Sequence, residues 1–189
     1  MDSALIISYS EKSVSYLTEV LTEAAVSNIT TVSNAGEARR LLIEQDFDLC
    51  IINAPLPDEF GEKLACNIAA KGISEVILIV KADLYEEISA KTEDFGVITI
   101  SKPIHKTFLW NAIKMAQVFH KKVRAVQNEN KKLLQKIEDI RIIDRAKCIL
   151  ISHLSMSEPE AHRYIEKQAM DMRLTRRKVA EQILKIYEN

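Results

Sequence analysis

DLCIINAPLPDEFG, residues 48–61, decides how the rest of the chain is read. The apolar run Leu49–Ile52 ends in one polar residue, Asn53, and passes into a turn-rich stretch with Pro55, Pro57, Asp58 and Gly61. A short apolar run bounded by turn residues reads as a strand buried on both faces. The pattern repeats outward in both directions. ALIIS (4–8) and NITTV (28–32) precede it; VILIV (76–80) and VITI (97–100) follow. Between the runs the period changes to that of a helix. Val14, Leu17, Val20 and Leu21 share one helical face, and Ala35, Ala38, Leu41 and Leu42 another. Strands alternating with amphipathic helices imply a parallel sheet covered on both faces and joined by right-handed crossovers. Five such units in about 120 residues predict an α/β, flavodoxin-like domain with a five-stranded parallel sheet. Ligand crevices in such folds lie at the carboxyl ends of the strands. Here those ends are Tyr9–Ser10, Asn53, Lys81 and Lys102.

Composition narrows the class. Of 189 residues, 47% are hydrophobic and 28% charged, with only 4 Gly and 4 Pro, which excludes collagenous, loop-rich and disordered chains. No apolar run approaches the roughly 18 residues of a membrane span. MDSALIISYSEK, at the start, has no basic segment ahead of an apolar one and is not read as a secretory signal. Cys50, Cys66 and Cys148 are too scattered for a disulfide framework or a zinc site and fit a reducing cytoplasm. His105, His120, His153 and His162 have no metal-ligand spacing and are expected at the surface or at caps. No metal, no cofactor and no membrane contact are expected. No nucleophile–base pair, paired carboxylates or glycine-rich phosphate loop points to an enzyme.

The charge is divided. Residues 1–120 carry 10 basic and 17 acidic side chains, residues 121–189 carry 16 and 10. An acidic front and a basic back suggest two parts with different partners, the basic one facing an anion such as nucleic acid. A solvated Lys-rich helical face is the plain alternative.

Between Pro103 and Pro159 there is neither Pro nor Gly, so the segment is expected to be largely one long helix. A heptad runs through it as Leu109, Ala112, Ala116, Phe119, Val123, Val126, Asn130, Leu133, Ile137 and Ile140. With Leu109 at a, the a positions include Val123, Asn130 and Ile137, and the d positions Phe119, Val126, Leu133 and Ile140. β-Branched residues at a favour two strands, and one buried Asn fixes a parallel register. Residues 109–140 are therefore expected to form a coiled-coil dimerisation helix, with Phe119, Val123, Val126, Asn130, Leu133, Ile137 and Ile140 in the seam of a parallel homodimer. The alternative is a helix packed on its own chain.

Two more helices follow. Ser157 with Glu160 three residues on is a capping-box pattern, and Thr175 is placed to cap the last helix. Their apolar faces, with Ile143, Leu150 and Leu154 from the long helix, make a small three-helix C-terminal domain over residues 134–189. Its cations cluster. Arg173, Arg176, Arg177 and Lys178 lie at the turn into the last helix, Arg163 and Lys167 are spaced i, i+4, and Arg145 and Lys147 lie one turn before the end of the long helix. Such groups suit phosphates, and arginine also stacks on unpaired bases.

The first 120 residues resemble the receiver domain of bacterial two-component response regulators. The likeness rests on strand order, on DLCIINAPLP with Gly61, and on SKP (101–103) after the fifth strand. In that family an acid pair follows the first strand, an aspartate that accepts phosphate ends the third, and a Thr or Ser and a Lys end the fourth and fifth. The matching positions here are Tyr9 and Ser10, Asn53, Lys81 and Lys102, and only Lys102 keeps the family residue. The aromatic usual three before that Lys is Thr99. The resemblance therefore implies a degenerate phosphorylation site. An amide is neither the nucleophile nor the anionic Mg²⁺ ligand the chemistry needs. The crevice is read as part of a scaffold for dimerisation and for docking a regulatory protein, with a small-anion site on Lys81 and Lys102 as the alternative.

Residues from about 134 to 187 resemble the ANTAR domain, the RNA-binding module of bacterial transcription antiterminators. IIDRAKCIL (142–150), SEPEAHRYI (157–165), Ala169–Met170 and VAEQIL (179–184) carry the likeness. Cys148 replaces the usual Gly, Ile140 a common Arg, and Arg176 an apolar residue. The whole is similar to antiterminators of the amidase-operon type, whose front domain is likewise a non-phosphorylated receiver. The resemblance implies a regulator that holds stem-loops in structured mRNA leaders so that a terminator hairpin does not form. Arg145, Lys147, Arg163, Lys167, Arg173, Arg176, Arg177 and Lys178 are the expected RNA contacts. A protein-interaction adaptor that binds no RNA is the alternative. A DNA-binding regulator is less favoured, because the basic run lacks a helix-turn-helix geometry.

Overall fold

The computed structural model of the chain describes residues 1–187. Five strands form one sheet: β1 (Ser3–Ile7), β2 (Asn28–Val32), β3 (Leu49–Asn53), β4 (Glu75–Lys81) and β5 (Ile98–Lys102). All neighbours are parallel and the order is β2-β1-β3-β4-β5, the expected flavodoxin-like order. Each crossover carries a helix: α1 (Glu11–Glu23), α2 (Ala35–Glu44), α3 (Glu62–Ala69) and α4 (Tyr85–Thr92).

Strand alternation divides the core into two layers. Cys50 and Ile52 of β3 join Leu5, Ile7, Leu78 and Val80 beneath α2, α3 and α4. Leu49 and Ile51 join Ala4, Ile6, Ile77 and Ile79 beneath α1 and the start of the fifth helix. Full burial of each such side chain is worth roughly 1.5–3 kcal/mol relative to exposure. The strand termini are what position the crevice. In register, Asn53 is opposite Ile79, and Lys81 is opposite Lys102.

Helix starts are specified locally. Ser10 Oγ accepts from the Ser13 N–H at 3.4 Å at the head of α1, and Asn34 Oδ1 accepts from Glu37 N–H at 2.8 Å at the head of α2. Gly61 opens α3 at φ 110°, and a Cβ there would sit 3.0 Å from Ile52 Cγ2, so both backbone and packing demand glycine.

The fifth helix, α5, runs Lys106–Leu154. Leu109, Ala112, Ile113 and Ala116 are buried in the second core layer. That corrects the heptad at its start: Leu109, Ala112 and Ala116 face the chain's own sheet and leave no room for an interhelical seam. From Phe119 onward the heptad positions are exposed. Periodicity gives a stripe; it does not say what lies against it.

The residues separate into two compact units, the first Met1–Arg124 and the second beginning at Ala125. In the second, α5 packs with α6 (Glu158–Met172) and α7 (Arg176–Tyr187). Ala146, Ala161, Ala169 and Ala180 let the helices approach closely around Leu150, Ile165, Val179 and Ile183. Both Ser157 N–H and Ser157 Oγ donate to Glu160 Oε2, at 2.8 and 2.7 Å, at the head of α6. Lys178 N–H donates to Thr175 Oγ1 at 3.3 Å at the head of α7. Among the described residues, no helix is long and apolar enough to cross a membrane.

Candidate functional site

The turn between α6 and α7 is built on Arg173, the C-cap of α6, which adopts φ 54°, ψ 40°. Its N–H donates to Met170 O, and Leu174 N–H to Ala169 O, which closes the helix. A non-glycine residue in this left-handed region is under strain. The next turn starts α7, so the cations of this run share one edge of the three-helix unit.

Their environments differ. Lys147 is nearly covered, with its ammonium between Asp144 at 2.8 Å and Glu158 at 2.9 Å, tying α5 to the head of α6. The hydrogen bonds that Lys147 donates to Asp144 and Glu158 raise its pKa. Arg177 Nη1 reaches Asp139 and its Nε reaches Glu181, both at 2.7 Å, tying α7 to α5. The Arg177 guanidinium holds the Asp139 carboxyl below its usual value. Arg176 meets Glu166 at 3.2 Å. Lys147, Arg176 and Arg177 are thus engaged within the unit. Lys147 also lies two turns, rather than one, before the end of α5 at Leu154, and Arg145 lies further back. Arg145, Arg163, Lys167, Arg173 and Lys178 are exposed, as is the paired Arg176. A cavity of about 390 Å³ opens between α5 and the head of α7, lined by Lys136, Asp139, Ile140, Thr175, Arg176 and Arg177 among others. Lys136 was not singled out in the sequence, because its place is set by how α7 docks on α5.

The crevice of the first unit holds the other predicted residues. Asn53 is 4% exposed, and its Nδ2 donates to Ser8 Oγ at 3.0 Å. Asn53 Oδ1 is buried without a hydrogen-bond partner. Lys102 Nζ donates to Ala54 O at 2.6 Å. Burial, and then the ammonium of Lys81, lower the Lys102 pKa. Tyr9 is exposed, and Ser10 is the α1 cap. A receiver fold implies Mg²⁺, but this donor set does not fit it. Tyr9, Ser10 and Asn53 supply no carboxylate, and no group of three acidic, His or Cys residues able to hold a metal occurs among the described residues. Asp58, in the loop after β3, caps α2: its oxygens accept from Ala35 N–H at 3.0 Å and Gly36 N–H at 2.8 Å. Thr99 pairs with Thr92, hydroxyl to hydroxyl at 3.1 Å, and lines a separate cavity of about 650 Å³ with Tyr85, Phe108 and Met115.

One histidine departs from the surface expectation. His120 is buried, 3.1 Å from Asp48 Oδ1. Arg124 reaches the same oxygen at 3.3 Å, while Asp48 Oδ2 accepts from Asp2 N–H and Ser3 N–H. Burial keeps the His120 pKa below its ordinary value. The signal available in sequence, one His on the helix face continuing from Ala116, did not distinguish this from solvent exposure.

Residues 131–184 match the ANTAR domain family. Over 169 residues the chain is 28% identical to the transcriptional regulatory protein PdtaR of Mycobacterium tuberculosis, covering 89% of this chain and 82% of that protein. Solved structures it resembles include receiver domains. The signal receiver domain of an HD domain-containing protein from Pseudomonas fluorescens Pf-5 matches with a TM-score of 0.58 at 24% identity, over 66% of this chain and 92% of that one. A CheY-like response regulator receiver domain protein from Methanospirillum hungatei JF-1 matches with a TM-score of 0.57 at 21% identity, over 65% and 98%. At these identities the structural likeness establishes the fold of the first unit.

Proposed function

For a response regulator that carries an ANTAR domain behind a receiver-fold domain, we propose that the second unit binds stem-loops in nascent mRNA leaders and that the first responds to a signal other than phosphorylation. RNA-binding antitermination is the role that the match of residues 131–184 to the ANTAR domain implies. The observation that carries the reading is the set of exposed cations on the ANTAR-matched helices: Arg163 and Lys167 on α6, Arg173 at its cap, and Lys178 on α7. Phosphate contacts position RNA, and splayed loop bases stack on guanidinium planes. Lys147, Arg176 and Arg177, already paired with carboxylates, shape that surface more than they touch RNA. Holding stem-loops would prevent the competing terminator hairpin, and polymerase would read on. The exposed seam from Phe119 to Ile140 favours a parallel homodimer, which presents two RNA-binding units to tandem stem-loops.

A mobility-shift titration over several salt concentrations tests the reading. Lys178→Ala is expected to weaken binding of all stem-loops and to flatten the log–log salt slope by roughly 0.7–0.9. Arg173→Gly relieves the left-handed strain, so stability should hold or rise by up to about 1 kcal/mol while RNA affinity falls. A two-loop RNA should bind far more tightly than either loop alone. Unchanged affinity in the Arg163, Lys167, Arg173 and Lys178 quadruple-Ala variant would overturn the reading. A chain that binds no structured RNA but retains a protein partner would be an adaptor.

A further inference from the structure

The residues that replace the carboxylates in the receiver crevice, Tyr9, Ser10 and Asn53, are neutral and leave lysine as its only charged lining. A cavity of about 490 Å³ at the strand ends is lined by Tyr9, Ser10, Lys12, Tyr16, Asn53 and Lys102 among others, with no carboxylate in its lining. Lys12 lies in the first turn of α1, next to Glu11, which is not part of the cavity lining. Lys81 stands beside Lys102 across the β4–β5 register. In solution such a group of ammoniums attracts an anion.

The floor of the cavity gives an independent indication. Ser8 Oγ takes two donors, Ser10 N–H at 3.2 Å and Asn53 Nδ2 at 3.0 Å, while Asn53 Oδ1 has none. A buried acceptor left unpaired costs about 1–3 kcal/mol. A half-turn of the amide about its last torsion removes that cost. Ser8 O–H then donates to Asn53 Oδ1, and the Nδ2 hydrogens take the vacated direction as donors in need of an acceptor. An anion in this cavity could accept from that amide and from the ammonium of Lys102, which keeps free N–H groups beyond its bond to Ala54 O.

We propose that this crevice is a metal-free binding site for a phosphate group, held without covalent attachment by Asn53, Lys102 and Lys12 and assisted by Lys81. The cavity has room for more than the group itself, and Tyr9 and Tyr16 offer ring surface to whatever the phosphate is attached to. The site lies in the first unit and does not depend on RNA binding by the second.

The test follows the Asn53 side-chain amide by ¹H–¹⁵N NMR in the full chain, its resonances identified by their loss in Asn53→Asp. Inorganic phosphate and phenyl phosphate are titrated separately against a constant chloride background, each to about 20 mM, enough to saturate a site with a Kd of ~1 mM. A saturable shift of this amide is expected. Lys102→Gln should weaken it by roughly tenfold or more, as loss of a charge-assisted hydrogen bond does. Should Lys102→Gln fail to fold, Lys12→Gln and Lys81→Gln, both at exposed positions, carry the same comparison with smaller expected losses. Asn53→Asp, followed through the backbone amides of Ser10 and Lys12, should abolish binding by repulsion. The quadruple-Ala variant of the second unit should bind as the wild type does. Tighter binding of phenyl phosphate assigns the site to a phosphomonoester, and equal or weaker binding to free phosphate. No saturable shift, or one that survives every lysine substitution, overturns the proposal. A shift lost only in the quadruple-Ala variant would also overturn it, placing the anion on the second unit.

Discussion

Asp48 sits at the amino end of β3 and gathers four donors: the backbone N–H groups of Asp2 and Ser3, the His120 ring and the Arg124 guanidinium. Its burial by itself would raise its pKa, but the two backbone donors, His120 and the chain's own amino group outweigh that and hold it below 3.8. A carboxyl with a depressed folded pKa contributes stability that is present above its unfolded value and lost as pH falls through the folded one. His120 is shifted downward as well, so the folded state prefers its neutral ring and loses stability as pH falls below about 6.5. Acidification therefore acts twice on the first unit, once below about pH 6.5 and again below about pH 4. Asp48→Ala leaves two N–H groups and His120 without an acceptor and should lower stability by about 1–3 kcal/mol at pH 7. His120→Gln should flatten the fall in melting temperature between pH 7 and 5. A melting temperature that drops equally in both variants and in the wild type over that interval would contradict the assignment.

The exposed stripe of α5 is the feature at element scale that most needs a partner. Phe119 is 49% exposed, Val126 65% and Ile140 58%, well above what apolar residues in a helical seam show once covered. Asn130, at an a position, would specify a parallel pair at a cost in stability. Asn130→Leu is expected to raise the melting temperature and to loosen the assembly toward higher oligomers, read by sedimentation equilibrium. A wild-type monomer at micromolar concentration would sink the dimer. The ends of α6 and α7 show how an element is fixed by few residues: Ser157 with Glu160, Arg173 in the left-handed region, and Thr175.

At the scale of the whole chain, the acidic front and basic back correspond to two units of different chemistry. In the first, the third strand ends in Asn53, an amide and no nucleophile, and Tyr9, Ser10 and Asn53 offer no carboxylate to Mg²⁺. Incubation with acetyl phosphate and Mg²⁺ should add no phosphoryl group, read by intact mass. An acyl phosphate on any crevice residue would refute this. The basic unit sets a different expectation, a steep salt dependence of RNA binding carried by residues after Ala125.

Periodicity and turn chemistry by themselves determined the five strands, their parallel order, the long helix and the caps at Ser157 and Thr175, because each is written in residues close together in the chain. The strand ends at Tyr9, Ser10 and Asn53 were equally legible, and that acids are missing there is what the resemblance to receivers implies. Tertiary structure alone decided what each side chain meets. Leu109 and Phe119 share one repeat, yet one is buried on the sheet and the other exposed. Lys147 and Arg177 belong to the same basic population as Lys178, but carboxylates from other helices claim them. Asp58 turned out to be a helix cap and His120 a buried partner of Asp48. Such pairings join residues distant in sequence, and local spacing holds no record of which distant group a side chain will reach once the elements pack.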